Sequence, residues 1–178
     1  RVLFRSLPMV DVEKFKPDPL IERDLDLLYP NRVPQDQVDF SKLPAGIQVL
    51  SMANPISLEE LAEVFKRGKA LYTFESSTTC ALAACAGCPV VALTAPGFEK
   101  YSNTQQTVKE TLGTITFSDD PESLAIAQSK TTAFRELFLT GEKIFWSQLE
   151  NLIKKTQNKA LEIQDGYKTK KVHFSHPK

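Results

Sequence analysis

Between Leu71 and Leu93 the chain runs LYTFESSTTCALAACAGCPVVAL, and two groups of residues in it are equipped for chemistry. The first is Glu75-Ser76-Ser77-Thr78-Thr79, a carboxylate followed by four hydroxyls between an apolar run and a small-residue helical stretch. Free amides in a first helical turn, hydroxyl donors and the positive end of the helix dipole together favour an anion such as a phosphate. Glu75 narrows the choice, because a carboxylate beside an anion is unfavourable unless it accepts hydroxyl hydrogens. A ribose next to a diphosphate supplies both groups. The plainer alternative is N-capping by Ser76, Ser77 or Thr78 with no ligand. Neither a Gly-x-Gly-x-x-Gly fingerprint nor a Walker loop is present.

The second group is Cys85-Ala-Gly-Cys88 with Cys80 upstream. A redox Cys-x-x-Cys sits at a helix N-terminus, where the dipole lowers the thiol pKa. This pair instead falls at the end of a helical stretch and before an apolar run. A zinc set would have to recruit His173 and His176 from a basic segment about 85 residues away, with no second cysteine pair. Core packing by small apolar side chains is the expectation for all three cysteines, so no metal and no cofactor is expected.

Three other loops would share an edge with Glu75 if the sheet is parallel. Arg5 could pair with a phosphate or be a surface arginine. Ser51-Met52-Ala53-Asn54-Pro55 could cradle a base, with Asn54 its polar side chain. Thr94-Ala95-Pro96-Gly97, followed by Glu99, Lys100 and Tyr101, could close the site or be an ordinary turn. Phe145, Trp146 and Leu149 read as core, and His173 and His176 are too peripheral to nominate. The catalytic residues stay unassigned.

The elements that would position these residues follow from periodicity and caps. Residues 1–45 carry six of the eleven prolines and are expected to be irregular or a linker, apart from a short strand at Val2–Phe4. From 46 to 158 the signals become regular. IQVLSM reads as a strand. Ser57 with Glu60 is a capping box for LEELAEVFKR, in which Leu58, Leu61, Ala62 and Phe65 share one face. Gly68 is expected as a left-handed stop. KALYTF, Pro89–Leu93 and TITF are the next strands; Thr78–Ala86 and NTQQTVKETL are helices. Asp120-Pro121 opens another helix, with further helical stretches at Thr132–Leu139 and Glu142–Thr156. Residues 159–178 form a basic tail. Strands apolar on both faces, alternating with helices, predict an α/β fold: a Rossmann-like parallel sheet with helices on both faces.

Composition fits a globular domain: 42% apolar and 25% charged residues exclude wholesale disorder. A formal net charge of zero argues against nucleic acid as partner. No apolar run is long enough for a membrane span, and RVLFRSLPMV, lacking a long apolar core and a small-residue cleavage site, is not expected to be a signal peptide. Three cysteines suit a reducing cytoplasm, with membrane contact expected only through the basic tail, at the inner face. The chain does not open on Met and is expected to be a piece of something longer.

ANPISLEELAEVFKRGKALYTFESSTTCALAACAGCPVVAL resembles the C-terminal, donor-binding half of GT-B glycosyltransferases, nearest to bacterial enzymes of O-antigen or capsular polysaccharide synthesis. The likeness lies in the Pro-containing turn and Ser-x-x-Glu-Leu helix, then the acidic and hydroxyl residues after a strand. It ends with the alanine-rich helix running into Gly87-Cys88-Pro89-Val90-Val91. It covers Ile47–Leu93 well, extends plausibly to Thr156 and is poor before Ala45. The resemblance implies a nucleotide-diphosphate sugar as ligand, with Glu75 at the family's acidic position and Ser77 and Thr78 at its hydroxyl positions. It also implies a saccharide acceptor and a missing N-terminal GT-B domain as partners, so the chain alone would be half an enzyme. One departure stands out: the family's ribose-binding Glu in the alanine-rich helix is Leu82 here. That leaves a second expectation, a catalytically degenerate Rossmann-like interaction or scaffold module. A third, a thiol redox protein, rests only on Cys85 and Cys88.

Overall fold

The computed structural model describes residues 12–51 and 53–170. Arg5, the strand expected at Val2–Phe4, Met52, His173 and His176 lie outside the described residues. Among the described residues one compact unit ends at Leu139, and from Thr140 onward the chain belongs to a second.

In the first unit five short strands form one parallel sheet: β1 (Leu25–Tyr29), β2 (Gln48–Val49), β3 (Gly68–Thr73), β4 (Val90–Ala92) and β5 (Ile115–Thr116). Their order across the sheet is β2-β1-β3-β4-β5. β1 is paired on both sides, with Leu27 opposite Gln48 and Leu71. The connections are α1 (Leu58–Arg67) between β2 and β3, α2 (Thr78–Cys85) between β3 and β4, and α3 (Gln105–Glu110) between β4 and β5; α4 (Pro121–Lys170) follows. This is the expected α/β fold, a parallel sheet flanked by helices.

Successive residues of a strand point to opposite faces, and the strands divide accordingly. Leu27, Leu71, Val90 and Ile115 join one core with Phe15, Ala62, Phe65 and the buried residues of α2. Leu28, Ala70, Tyr72 and Val91 join a second with Val33, Val38 and Ala95. The second face is covered by the β1–β2 connection, which holds two 3-10 turns, Gln35–Gln37 and Phe40–Lys42, in place of an α-helix.

Three expectations are corrected. Residues 1–45 are not irregular throughout, because β1 lies within them. Pro17, Pro19, Pro30 and Pro34 bracket LDLLY rather than interrupt it, so no ladder hydrogen bond is lost. Gly68 is not a left-handed stop: its φ is −66°, and it starts β3. A Cβ there would lie 2.6 Å from Cys88 Sγ and 3.1 Å from Leu27 Cδ1, so the glycine serves close packing. The helical stretches after Asp120 are one helix, with the Ser123 amide donating to Asp120 Oδ1 at 2.8 Å as its N-cap bond. The helix runs on to Lys170, into the segment read as a tail.

In the second unit the described residues are the end of α4 alone. Trp146, expected in a core, is 51% exposed, and Ile144, Leu152 and Ile153 are exposed as well. A single helix cannot bury its own apolar stripe. Phe145 meets Trp146 edge-on at 5.4 Å.

Candidate functional site

The strand order reverses between β1 and β3: the chain leaves β1 toward β2, then crosses back to β3 on the other side. Open parallel sheets hold ligands outside the carboxyl ends of the strands at that point. Tyr29 ends β1 there and Thr73 ends β3, so the loop carrying Glu75 and the turn after Tyr29 are neighbours.

The backbone at Glu75 is held from two sides, since its carbonyl accepts from Thr73 Oγ1 at 3.2 Å and from the Cys80 thiol at 3.4 Å. Its side chain is buried, at 7% residue exposure. An isolated buried carboxylate is costly, and a cation stands close: Arg32 Nε lies 3.8 Å from Glu75 Oε2. Arg32 is presented by a tight turn. The Val33 amide donates to the Pro30 carbonyl at 3.0 Å, and Asn31 adopts φ 51°. Asparagine tolerates that left-handed backbone better than most residues. Tyr29 Oη reaches Asn31 Oδ1 at 3.5 Å.

Ser77 is the N-cap residue of α2, extended at φ −148° and ψ 170°, but its hydroxyl makes no capping bond. It lies 3.5 Å from Cys80 Sγ instead. The contrast with α1 is direct, because there the Glu60 amide donates to Ser57 Oγ and the Ser57 amide to Glu60 Oε2. Thr104 and Thr107 close a similar box on α3. The amides at the start of α2 are therefore left without the side-chain cap that its neighbours have.

Asn54, Ser76, Ser77, Thr79 and Pro96 divide among three concavities, and Glu75, Thr78 and Gly97 line none of the three. A cleft of about 170 Å³ at the ends of β1 and β2 is lined by Tyr29, Leu50, Ser51, Asn54, Pro55 and Thr79, so Asn54 and Thr79 share it. Ser51 and Asn54 bridge to each other, and the Ala53 amide donates to Ser51 Oγ at 3.1 Å, shaping this wall. Ser76 and Ser77 face a smaller hollow of about 40 Å³ with Cys80, Thr111, Thr114 and Phe134. Pro96 lines a third, about 140 Å³, on the side of the 3-10 turns, where Lys42 Nζ pairs with Asp39 Oδ2 at 2.9 Å. Gly97 is exposed at φ 82°, and its amide donates to Glu99 Oε1 at 2.9 Å. Thr78, the first residue of α2, is exposed.

Sequence reasoning missed Arg32 and Tyr29, because they lie in the segment read as irregular. The available signal was LDLLY, an apolar run bounded by Asp24 and Pro30. Leu82, where the resemblance expects a carboxylate, is 7% exposed and belongs to the core with Phe65 and Ala62.

The cysteines are free and buried. Loss of solvation pushes the Cys85 thiol up to about 11 and the Cys88 thiol up to about 12, and raises Cys80 as well. Thiols so far from ionising do not initiate disulfide exchange at neutral pH. Among the described residues no three His, Cys, Asp or Glu side chains are grouped to hold a metal ion, and no helix is long and apolar enough to cross a membrane. Comparison of the chain with protein-family profiles, with curated proteins and with solved structures finds no match.

Proposed function

We propose that this chain is the donor-binding domain of a GT-B-type glycosyltransferase, holding a nucleotide-diphosphate sugar at the β1/β3 switch point. The observation that carries the reading is Glu75, a buried acid at the carboxyl edge, two residues before the uncapped start of α2. The carboxylate suits the ribose hydroxyls, and the helix amides with Ser77 and Thr78 suit the diphosphate. The cleft between Tyr29, Ser51 and Asn54 has the walls a nucleobase needs: an aromatic ring, backbone polar groups and apolar surface. On this reading the leaving diphosphate is stabilised by preorganised N–H and O–H donors, and the acceptor saccharide and catalytic base come from an N-terminal domain.

A second reading, a degenerate domain acting as scaffold, is favoured by one observation: Leu82 is packed in the core and offers the ribose nothing. Titrating the purified chain with UDP, GDP, CDP and dTDP while following its melting temperature separates the two. A ligand at about 100 times its Kd adds about 2.7 kcal/mol. Stabilisation by one nucleotide, abolished in Glu75→Ala, is the result expected of a donor site. A well-folded sample that responds to none of the four supports the scaffold.

A further inference from the structure

We propose that Thr73 and Cys80 are the positioning residues of the site: their side chains fix the Glu75 peptide and so set where its carboxylate stands for a ligand's diol. The inference rests on the donor-site reading and names the residues that make Glu75 selective. Glu75 lies in the short loop between β3 and α2, where a side chain swings with its peptide unless something holds it. Its carbonyl oxygen accepts from Thr73 Oγ1 at 3.2 Å and from the Cys80 thiol at 3.4 Å. Thr73 is the last residue of β3 and fully buried, and Cys80 is buried in the first turn of α2. Phe74, just before the acid, is buried in the second core. With Phe74 anchored on one side and its own carbonyl tethered on the other, the Glu75 backbone has little freedom, and the direction of its carboxylate follows.

The other helices show what is particular about Cys80, the third residue of α2. In α1 the third residue is Glu60, whose carboxylate accepts from the Ser57 amide at 2.9 Å. In α3 it is Thr107, whose hydroxyl accepts from the Thr104 amide at 3.1 Å. A thiol accepts poorly but can donate, and that of Cys80 donates past the N-cap Ser77 to the carbonyl two residues earlier. Burial raises the pKa of this thiol, so it keeps the proton it donates at neutral pH. The position that closes α1 and α3 is thus used in α2 to hold the acid. A binding group has to stay within about 0.5 Å of its productive place, and a strand end with a helical turn holds it better than a loop alone.

The test is isothermal titration with two probes, the ribonucleoside diphosphate that stabilises the chain most and its 2′,3′-dideoxy analogue, and the readout is the ratio of their affinities. Circular dichroism and melting temperature establish that each variant folds. Wild type is expected to prefer the ribo form. Thr73→Val and Cys80→Ala are each expected to cut that preference by about threefold to tenfold, the worth of one neutral hydrogen bond, and to leave the dideoxy form unchanged. Thr73→Ser and Cys80→Ser keep a donor and are expected to restore the preference. In a Glu75→Gln background neither Thr73→Val nor Cys80→Ala should reduce it further. Cys85→Ala, buried in the same helix, should leave it as in wild type. The role of Thr73 and Cys80 alone is overturned if their variants weaken both probes equally, if the serine variants restore nothing, or if Cys85→Ala has the same effect. Equal binding of the two probes by wild type overturns Glu75 as the reader of the diol, and this inference with it. A folded wild type that binds neither probe overturns the donor-site reading itself.

Discussion

Arg32 and Glu75 stand 3.8 Å apart across the point where the strand order of the sheet reverses. One comes from the turn after β1 and the other from the loop after β3, so the pairing depends on those strands being neighbours in register, as Tyr29 opposite Thr73 shows. The buried acid, its cation and the uncapped helix start are brought to one edge by topology.

A second arginine holds the opposite end of the sheet. Arg23 donates to Gly68 O at 2.8 Å, Ala86 O at 3.0 Å and Phe65 O at 3.4 Å, carbonyls at or just beyond the C-terminal ends of α1 and α2. A cation there opposes two helix dipoles. Arg23→Met keeps most of the apolar stem and removes the donors. It is expected to lower stability by about 2–3 kcal/mol, the loss associated with hydrogen bonds to a charged group, read as a lower urea midpoint at unchanged slope.

Close approach of β3 to the Cys-x-x-Cys segment requires the glycine at its start. Gly68→Ala would bring a methyl to 2.6 Å from Cys88 Sγ, a contact that forces a shift. The expected cost is about 1–3 kcal/mol, the range for overpacking a core. Adding Cys88→Ala should restore much of it. A double variant whose losses simply sum would show that the two positions are not in contact.

The thiols give the pH prediction. Burial holds Cys85 near 11 and Cys88 near 12, against 9.0 for an ordinary thiol. Between those values the unfolded chain has released protons that the folded chain still keeps, so stability must fall as pH rises. The contribution is fully present below pH 9 and declines from 9 toward 12, by up to about 1.4 kcal/mol per pH unit for each thiol. Cys85→Ala should flatten that decline. Maleimide labelling of the native chain at neutral pH should be slow at all three cysteines and fast in denaturant.

Much of this was legible in the residues. The capping box at Ser57 and Glu60, the strand–helix alternation from Ile47 on and the position of Glu75 at a strand-to-helix junction all follow from local rules. β1 was hidden because proline density argues against regular structure while saying nothing about the residues between prolines. Arg32 was hidden with it, since its importance comes from a partner 43 positions away in the sequence. The role of Gly68 was misread because glycine after a helix predicts a left-handed cap, whereas a tertiary contact with Cys88 is what excludes a side chain. The merging of the later helical stretches into α4 went unread; Gly141 lies between two of them, and glycine costs a helix interior only about 1 kcal/mol.

The central claim is that a phosphorylated nucleotide sits where β1, β3 and α2 meet, and it is tested most directly by backbone amide shifts. Titrating isotope-labelled chain with the stabilising nucleoside diphosphate should move the amides of Ser76–Thr79, those around Arg32 and those of Ser51–Asn54, and leave the opposite edge near Arg23 and Ala86 unmoved. Shifts centred on another part of the chain, or none at saturating nucleotide, would contradict the account.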